Sequence, residues 1–237
     1  MTRRIEDLQC GNLKILQDDN GYCFSSDSVL LANFFRAKKG DIVVEFCSGS
    51  GVISILGTAK TNAKHFYCFE YQESLAKMSQ ESVKLNGINN ITVFNCDLKD
   101  AQKMLNRTVV DVVVVNPPYF TEKSASQTEE INIATHEITT TLKDIVQSAS
   151  KILKFGGKFY MIHTAKRFAE ICHQLIQHNL QPKQAVFVKP NPSKEYSVVL
   201  IEAQKGAKVG IKMKEFLVYD KDGNPAEELQ KIYNNKK

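Results

Sequence analysis

Residues 109–115 read Val-Val-Asp-Val-Val-Val-Val. A β-branched run broken only by Asp111 has no polar face, so both of its faces must be covered; it belongs in the middle of a sheet flanked by helices. Around it, apolar runs of strand length alternate with segments of helical spacing. The strands are read at 42–46, 65–70, 91–95, 158–163, 184–188 and 197–203, and the helices at 52–59, 73–85, 98–105, 142–153 and 167–178. Gly87 and the pair Gly156-Gly157 are read as helix caps. Strands alternating with helices predict a doubly wound, mostly parallel α/β sheet, and the pair joined through Pro190-Asn191-Pro192 is expected to supply an antiparallel edge.

The first 36 residues have another texture and are read as an appendage to a main domain at 37–237. Within it, residues 13–16 and 22–24 are expected to form a hairpin around Asp19-Asn20-Gly21, and Asp27 to N-cap a helix over 28–35. A chain of 237 residues, 43% hydrophobic, can fill one substantial core. Its net charge of +5 tilts the surface toward anionic partners such as nucleic acid. No stretch reaches the roughly 18 apolar residues of a membrane span, and the start lacks the apolar core of a secretion signal, so a cytoplasmic location is expected. The six cysteines contain no C-x-x-C pair and read as free thiols in the core, with no metal site. The end at 234–237 reads as a frayed terminus.

Glu45-Phe46-Cys47-Ser48-Gly49-Ser50-Gly51 lies between the first sheet strand and its helix, where strand end and helix start form a ligand crevice. Gly49 and Gly51 let a ligand approach the backbone. Glu70 closes the next strand, placed to accept hydrogen bonds from ribose hydroxyls, which points to an adenosine-like cofactor. The turn carries Cys47 where a dinucleotide fingerprint has its first glycine, which disfavours a nicotinamide enzyme. Glu45 would repel a pyrophosphate and suits the ammonium of a methionine moiety. Asp97, ending the third strand, borders the adenine end of the crevice or caps the next helix. Tyr71 and Leu98 beside these acids complete the cofactor-binding set.

Asn116-Pro117-Pro118-Tyr119 follows the β-branched run. The prolines remove two backbone donors and leave carbonyl oxygens free to accept. An amino nitrogen conjugated to a ring or carbonyl is a poor nucleophile. If the Asn116 side-chain oxygen and the Pro117 carbonyl each accept one of its N–H groups, it is held in line and its developing charge is stabilised, with no dedicated base. Tyr119, and Phe120 beside it, can stack on a planar substrate. The catalytic set is therefore Asn116, Pro117, Pro118 and Tyr119. His136, just before a helix, is read as a capping or surface residue.

These residues resemble the motifs of class I methyltransferases of the N-P-P-Y branch, which include adenine-N6, guanine-N2 and release-factor glutamine enzymes. Glu45 to Gly51 looks like the first motif, Glu70 the second, Asp97 the third and Asn116 to Tyr119 the fourth; Cys47 departs from the usual glycine. The resemblance implies a seven-stranded sheet and S-adenosylmethionine as cofactor, with Asn116 touching it as well. Over the whole chain it extends to the bacterial tRNA1(Val) adenine-37 N6-methyltransferase family, through Ile5-Glu6-Asp7-Leu8, the segment from Phe24 to Ala32, His136-Glu137 and the run from Val218 to Gly223. That family's segment around Asp27 helps close the cofactor site, which adds Asp27 to the cofactor-binding set. The implied partner is RNA, a tRNA, with the enzyme a monomer and Arg3, Arg4, Lys123, Arg167, Lys189 and Lys194 as candidate phosphate contacts. The alternatives are glutamine methylation, which usually brings a helical domain before the first motif, an rRNA methyltransferase, and a non-catalytic RNA-binding module, which predicts a broken N-P-P-Y. DNA adenine methylation would need a target-recognition region that is not visible.

Overall fold

A computed structural model describes residues 3–19, 21–106, 108–119 and 129–234. The chain opens with an antiparallel hairpin, β1 (Arg3–Asp7) and β2 (Lys14–Asp18), whose turn places Gln9, Gly11 and Asn12 at positive φ. The hairpin thus forms with the preceding segment and not with 22–24. That latter segment is drawn elsewhere: the Phe24 N–H reaches the Gln17 side-chain oxygen at 3.4 Å and Tyr22 packs over Gly49. Helix α1 (Ser26–Phe34) follows, capped by Ser25, whose hydroxyl accepts from the Asp27 N–H at 3.3 Å. Asp27 is therefore not the cap; it sits in the first turn with its carboxylate free for a distant partner.

The main sheet contains β3 (Ile42–Phe46), β4 (His65–Glu70), β5 (Ile91–Asn95), β6 (Val110–Val115), β7 (Leu153–Thr164), β8 (Leu180–Lys189), β9 (Val198–Lys205) and β10 (Lys212–Leu217). Its spatial order is β10-β8-β9-β7-β6-β3-β4-β5, eight strands where seven were expected. The additional strand, β10, pairs parallel to β8 at the edge. Four of its six residues are exposed, and Lys212, Lys214 and Glu215 leave little apolar alternation to read. The antiparallel strand is not at the edge either: β9 lies between β7 and β8, antiparallel to both, and its first four residues are buried in succession.

Helices α2 (Val52–Lys60), α3 (Glu73–Leu85), α4 (Ala101–Met104), α5 (Glu129–Thr135), α6 (Leu142–Ile152), α7 (Phe168–Gln177) and α8 (Glu227–Asn234) complete the elements. Strand β6 alternates as a central strand does: Val113 and Val115 face a core with Ile145, Val146 and Ile171, while Val112 and Val114 face one with Leu31, Phe35 and Ile55. Ile15 from the hairpin joins the second core, so the N-terminal segment is packed beneath the sheet. The glycine pair does not cap α6. That helix ends at Ile152, and both glycines lie inside β7, where its register against β6 shifts between Val110 and Val112. A Cβ on Gly157 would stand 2.9 Å from the Lys154 carbonyl, so the bulge requires a residue without one. Among the described residues no helix is long and apolar enough to cross a membrane.

Candidate active site

The carboxyl ends of the parallel strands β6, β3 and β4 lie side by side, which brings Asn116, the Cys47 turn and Glu70 to one edge of the sheet. After Phe46 the chain turns through Cys47, Gly49 and Gly51 at φ of 53°, 53° and 87°. All three are left-handed, which explains why a glycine would be the ordinary choice at 47; an L-residue there costs roughly 1–2 kcal/mol. The turn is tied down by Ser48 N–H to the Phe69 carbonyl at 3.2 Å and Gly51 N–H to the Ser48 carbonyl at 2.8 Å. Gly51 has no room for a side chain, since a Cβ would run into the Ser79 hydroxyl.

The acids differ in what they do. Glu70 is buried, accepts from Gly49 N–H at 2.7 Å and from Gln72 N–H at 2.9 Å, and lines the cleft over the turn. Glu45 is fully buried behind the turn; its Oε2 accepts from the Ser54 N–H at 2.9 Å and from the Ser54 hydroxyl, and burial pushes its carboxyl up to about 8. Asp97 caps the turn over Leu98–Asp100, accepting from Lys99 N–H at 2.9 Å, and pairs with the Lys99 ammonium. The cleft wall there is formed by its neighbours Cys96 and Leu98, with Tyr71 and Phe69 nearby.

Asn116 stands where two cavities meet. The first, about 540 Å³ counting its open mouth, is lined by Cys47, Gly49, Glu70, Tyr71, Leu98, Asn116 and Pro118, among others. The second is lined by Pro117, Pro118, Tyr119, Ser25, Ile131 and Thr135, and shares Tyr22, Asn116, Pro118 and Ala134 with the first. Asn116 Nδ2 donates to the Ser28 hydroxyl at 3.1 Å, and the Tyr119 hydroxyl donates to Asp27 Oδ2 at 2.6 Å. Asp27 is thus brought to the aromatic of the tetrapeptide, 92 residues away in the chain. The Tyr119 ring packs against the His163 imidazole at 5.3 Å between centroids. Phe120 and Lys123 lie outside the described residues. His136 is buried and hydrogen-bonded to the Thr135 hydroxyl at 2.8 Å, so it is not the surface residue expected.

Several candidate phosphate contacts already hold partners. Arg3 pairs with Glu81, Arg4 with Asp19, and Arg167 with both Glu137 and Glu170. Lys189 lies over the Tyr196 ring at 5.5 Å, and Lys194 is exposed in the loop beyond β8. Reading the sequence missed Tyr22 and Ser28. Both sit in or next to the Phe24 to Ala32 segment, and Tyr22 lines both cavities.

Glu45 Oε1, the Ser48 hydroxyl and Asn116 Oδ1 are among the buried polar atoms that lack partners among the described residues. All three residues line one small chamber between the glycine turn and Asn116. Unsatisfied buried acceptors are costly, so the chamber suits a ligand bringing donors, as an α-ammonium does.

Fold and cleft together define a class I methyltransferase with S-adenosylmethionine as its methyl donor. More particularly, the chain belongs to the methyltransferase small domain family, whose model matches residues 23–191. It is 23% identical over 184 residues to the tRNA1(Val) (adenine(37)-N6)-methyltransferase of Parabacteroides distasonis, covering 75% of this chain and 74% of that one. The enzyme of the same name from Proteus mirabilis is 24% identical over 216 residues, covering 86% and 83%. Among solved structures, Atu636 from Agrobacterium tumefaciens, a predicted O-methyltransferase, superposes with a TM-score of 0.71 at 17% identity, over 88% of this chain and 95% of its own.

Proposed function

We propose that this methyltransferase acts on the exocyclic N6 amine of an adenine in tRNA, the adenine-37 position of a tRNA(Val) type. The observation that carries the reading is Asn116 Oδ1, a buried acceptor without a partner among the described residues, on a residue that lines both cavities. The relatives named above as tRNA adenine-N6 methyltransferases support the choice of substrate.

When bound in the first cavity, the cofactor supplies an electrophilic methyl group on a sulfonium. Glu70 and the backbone of the glycine turn would hold its sugar end, and Glu45 with Ser48 would receive its ammonium. The target base enters the second cavity, beside Pro117, Tyr119 and Thr135. Asn116 Oδ1 and the Pro117 carbonyl each accept one N–H of the amine, which orients the nitrogen lone pair toward the methyl and stabilises positive charge as it develops. Tyr119 supplies a flat aromatic face for the base. Reaching a base in folded RNA requires splaying it out of its stack.

The test is to incubate the protein with tritiated S-adenosylmethionine and separate pools of tRNA, rRNA, DNA and protein, and to identify the labelled product. Label in N6-methyladenosine from tRNA is expected; label confined to the protein pool would overturn the reading.

A further inference from the structure

Two consecutive residues at the start of α1 touch both side chains that the proposed chemistry relies on. Ser28 Oγ accepts from Asn116 Nδ2 at 3.1 Å, and Asp27 Oδ2 accepts from the Tyr119 hydroxyl at 2.6 Å. The partners lie 88 and 92 residues apart in the chain, so neither contact is local. Ser28 is buried, and Asp27 and Tyr119 are in contact at the rim of the second cavity.

A side-chain amide has two ends of opposite character, and only its oxygen can accept from an amine. With its nitrogen engaged by Ser28, Asn116 keeps its oxygen for another donor; that oxygen is buried without a partner among the described residues, and the residue lines both cavities. A tyrosine ring turns about two bonds, and a hydroxyl anchored at the far end stops that motion. Asp27 anchors the end, and His163 packs against the ring at 5.3 Å. Neither Asp27 nor Ser28 needs to touch cofactor or substrate for this.

We infer that the first turn of α1 is a positioning clamp for the substrate amine: Ser28 sets which end of Asn116 faces the amine, and Asp27 locks the plane of Tyr119 against which the acceptor stacks. The inference rests on the proposed reaction only for the identity of the acceptor; the clamp would orient any planar amine or amide. It puts Asp27 on the acceptor side, against Tyr119, in place of the closure over the cofactor that the resemblance implies.

The test is a double-mutant cycle on Asp27→Ala and Tyr119→Phe, with S-adenosylmethionine affinity measured by calorimetry beside kcat and KM for the acceptor. Each single variant should lose about tenfold in kcat, the size of one hydrogen bond. The double variant should lose no more than either single one, because both remove the same contact. Cofactor affinity should stay within about twofold, and Asp27→Asn, which keeps an oxygen acceptor, should recover most of the rate. Ser28→Ala should lower kcat with the same unchanged cofactor affinity. Additive losses, or a loss confined to cofactor affinity, would overturn the clamp. If the wild-type protein labels a protein glutamine instead of tRNA, the substrate reading fails while the same cycle, read on that acceptor, still decides the clamp.

Discussion

The backbone N–H of Gly49 donates to the Glu70 carboxylate at 2.7 Å, so the acid ending β4 holds the glycine turn that follows β3. Glu70 also accepts from Gln72 N–H and is buried. One side chain therefore ties the glycine turn to the end of β4 and lines the cleft between them. Glu70→Ala strands both N–H groups, and bonds to a charged acceptor are worth about 1.5–3 kcal/mol each. The variant should lose at least tenfold in S-adenosylmethionine affinity by calorimetry and melt at a lower temperature; unchanged affinity would remove Glu70 from the cofactor site.

Cys47 sits at φ of 53°. Glycine there relieves backbone strain of roughly 1–2 kcal/mol but gives back much of it through a freer unfolded chain and a lost side chain. Cys47→Gly should therefore lie within about 1 kcal/mol of wild type in urea unfolding. Cys47→Val, with a β-branched side chain that tolerates positive φ worst, should cost about 2 kcal/mol or more. Equal stabilities for the two would contradict the turn geometry.

Burial raises the Glu45 carboxyl from 4.5 to about 8. Between those values the folded state keeps a proton that the unfolded chain has lost, so stability falls as pH rises through the window. Unfolding midpoints in urea should decline from pH 6.5 to 8, and Glu45→Gln should flatten that decline. Bound S-adenosylmethionine, whose ammonium favours the ionised carboxylate, should flatten it too.

His163 works in the opposite sense. Both ring nitrogens are buried without hydrogen-bond partners among the described residues, and burial, reinforced by the nearby Arg167 guanidinium, holds the imidazole down from 6.5 to about 4. Its contribution is lost as pH drops from 6.5 toward 4, because the unfolded chain takes up the proton first. His163→Leu should lessen the acid-side loss of stability and raise the midpoint at pH 5. A steeper acid limb in that variant would show that the imidazole is satisfied.

Asn116→Ala removes the side-chain acceptor at the junction of the cavities. By analogy with the loss of one preorganised hydrogen-bonding group elsewhere, kcat should fall about 10²- to 10³-fold. Cofactor affinity, which the proposed mechanism assigns mainly to the turn and Glu70, should change little. Normal turnover would rule out the mechanism.

The parts of the fold that were legible in the sequence are those in which local periodicity and burial agree. Strands His65–Glu70 and Ile91–Asn95 and helix Glu73–Leu85 fall at the expected bounds, because each carries its own apolar pattern between turn residues. Strand β10 was missed because an exposed edge strand needs no apolar face. The partner of β2 was misread because the Arg-Arg-Ile-Glu-Asp strand holds by backbone pairing and not by pattern. Gly156-Gly157 reads as a cap because a glycine pair after a helix looks the same whether it stops the helix or bulges the next strand. In the site, the turn, Glu70 and the N-P-P-Y residues were visible as motifs. The contacts of Asp27 and Ser28 were not, since a hydrogen bond spanning some 90 residues leaves no mark on spacing.

The placement of β9 between β7 and β8 bears on how this protein can be cut. The family match ends at residue 191, after β8 and before β9. A chain stopped there would lose more than the edge strand β10. It would keep both strands that β9 joins and remove the one between them, leaving two facing rows of unpaired amides and carbonyls in the interior. The smallest self-sufficient piece of this enzyme must therefore run past Lys205, and its C-terminal boundary is dictated by a strand that arrives late in the chain but sits in the middle of the sheet.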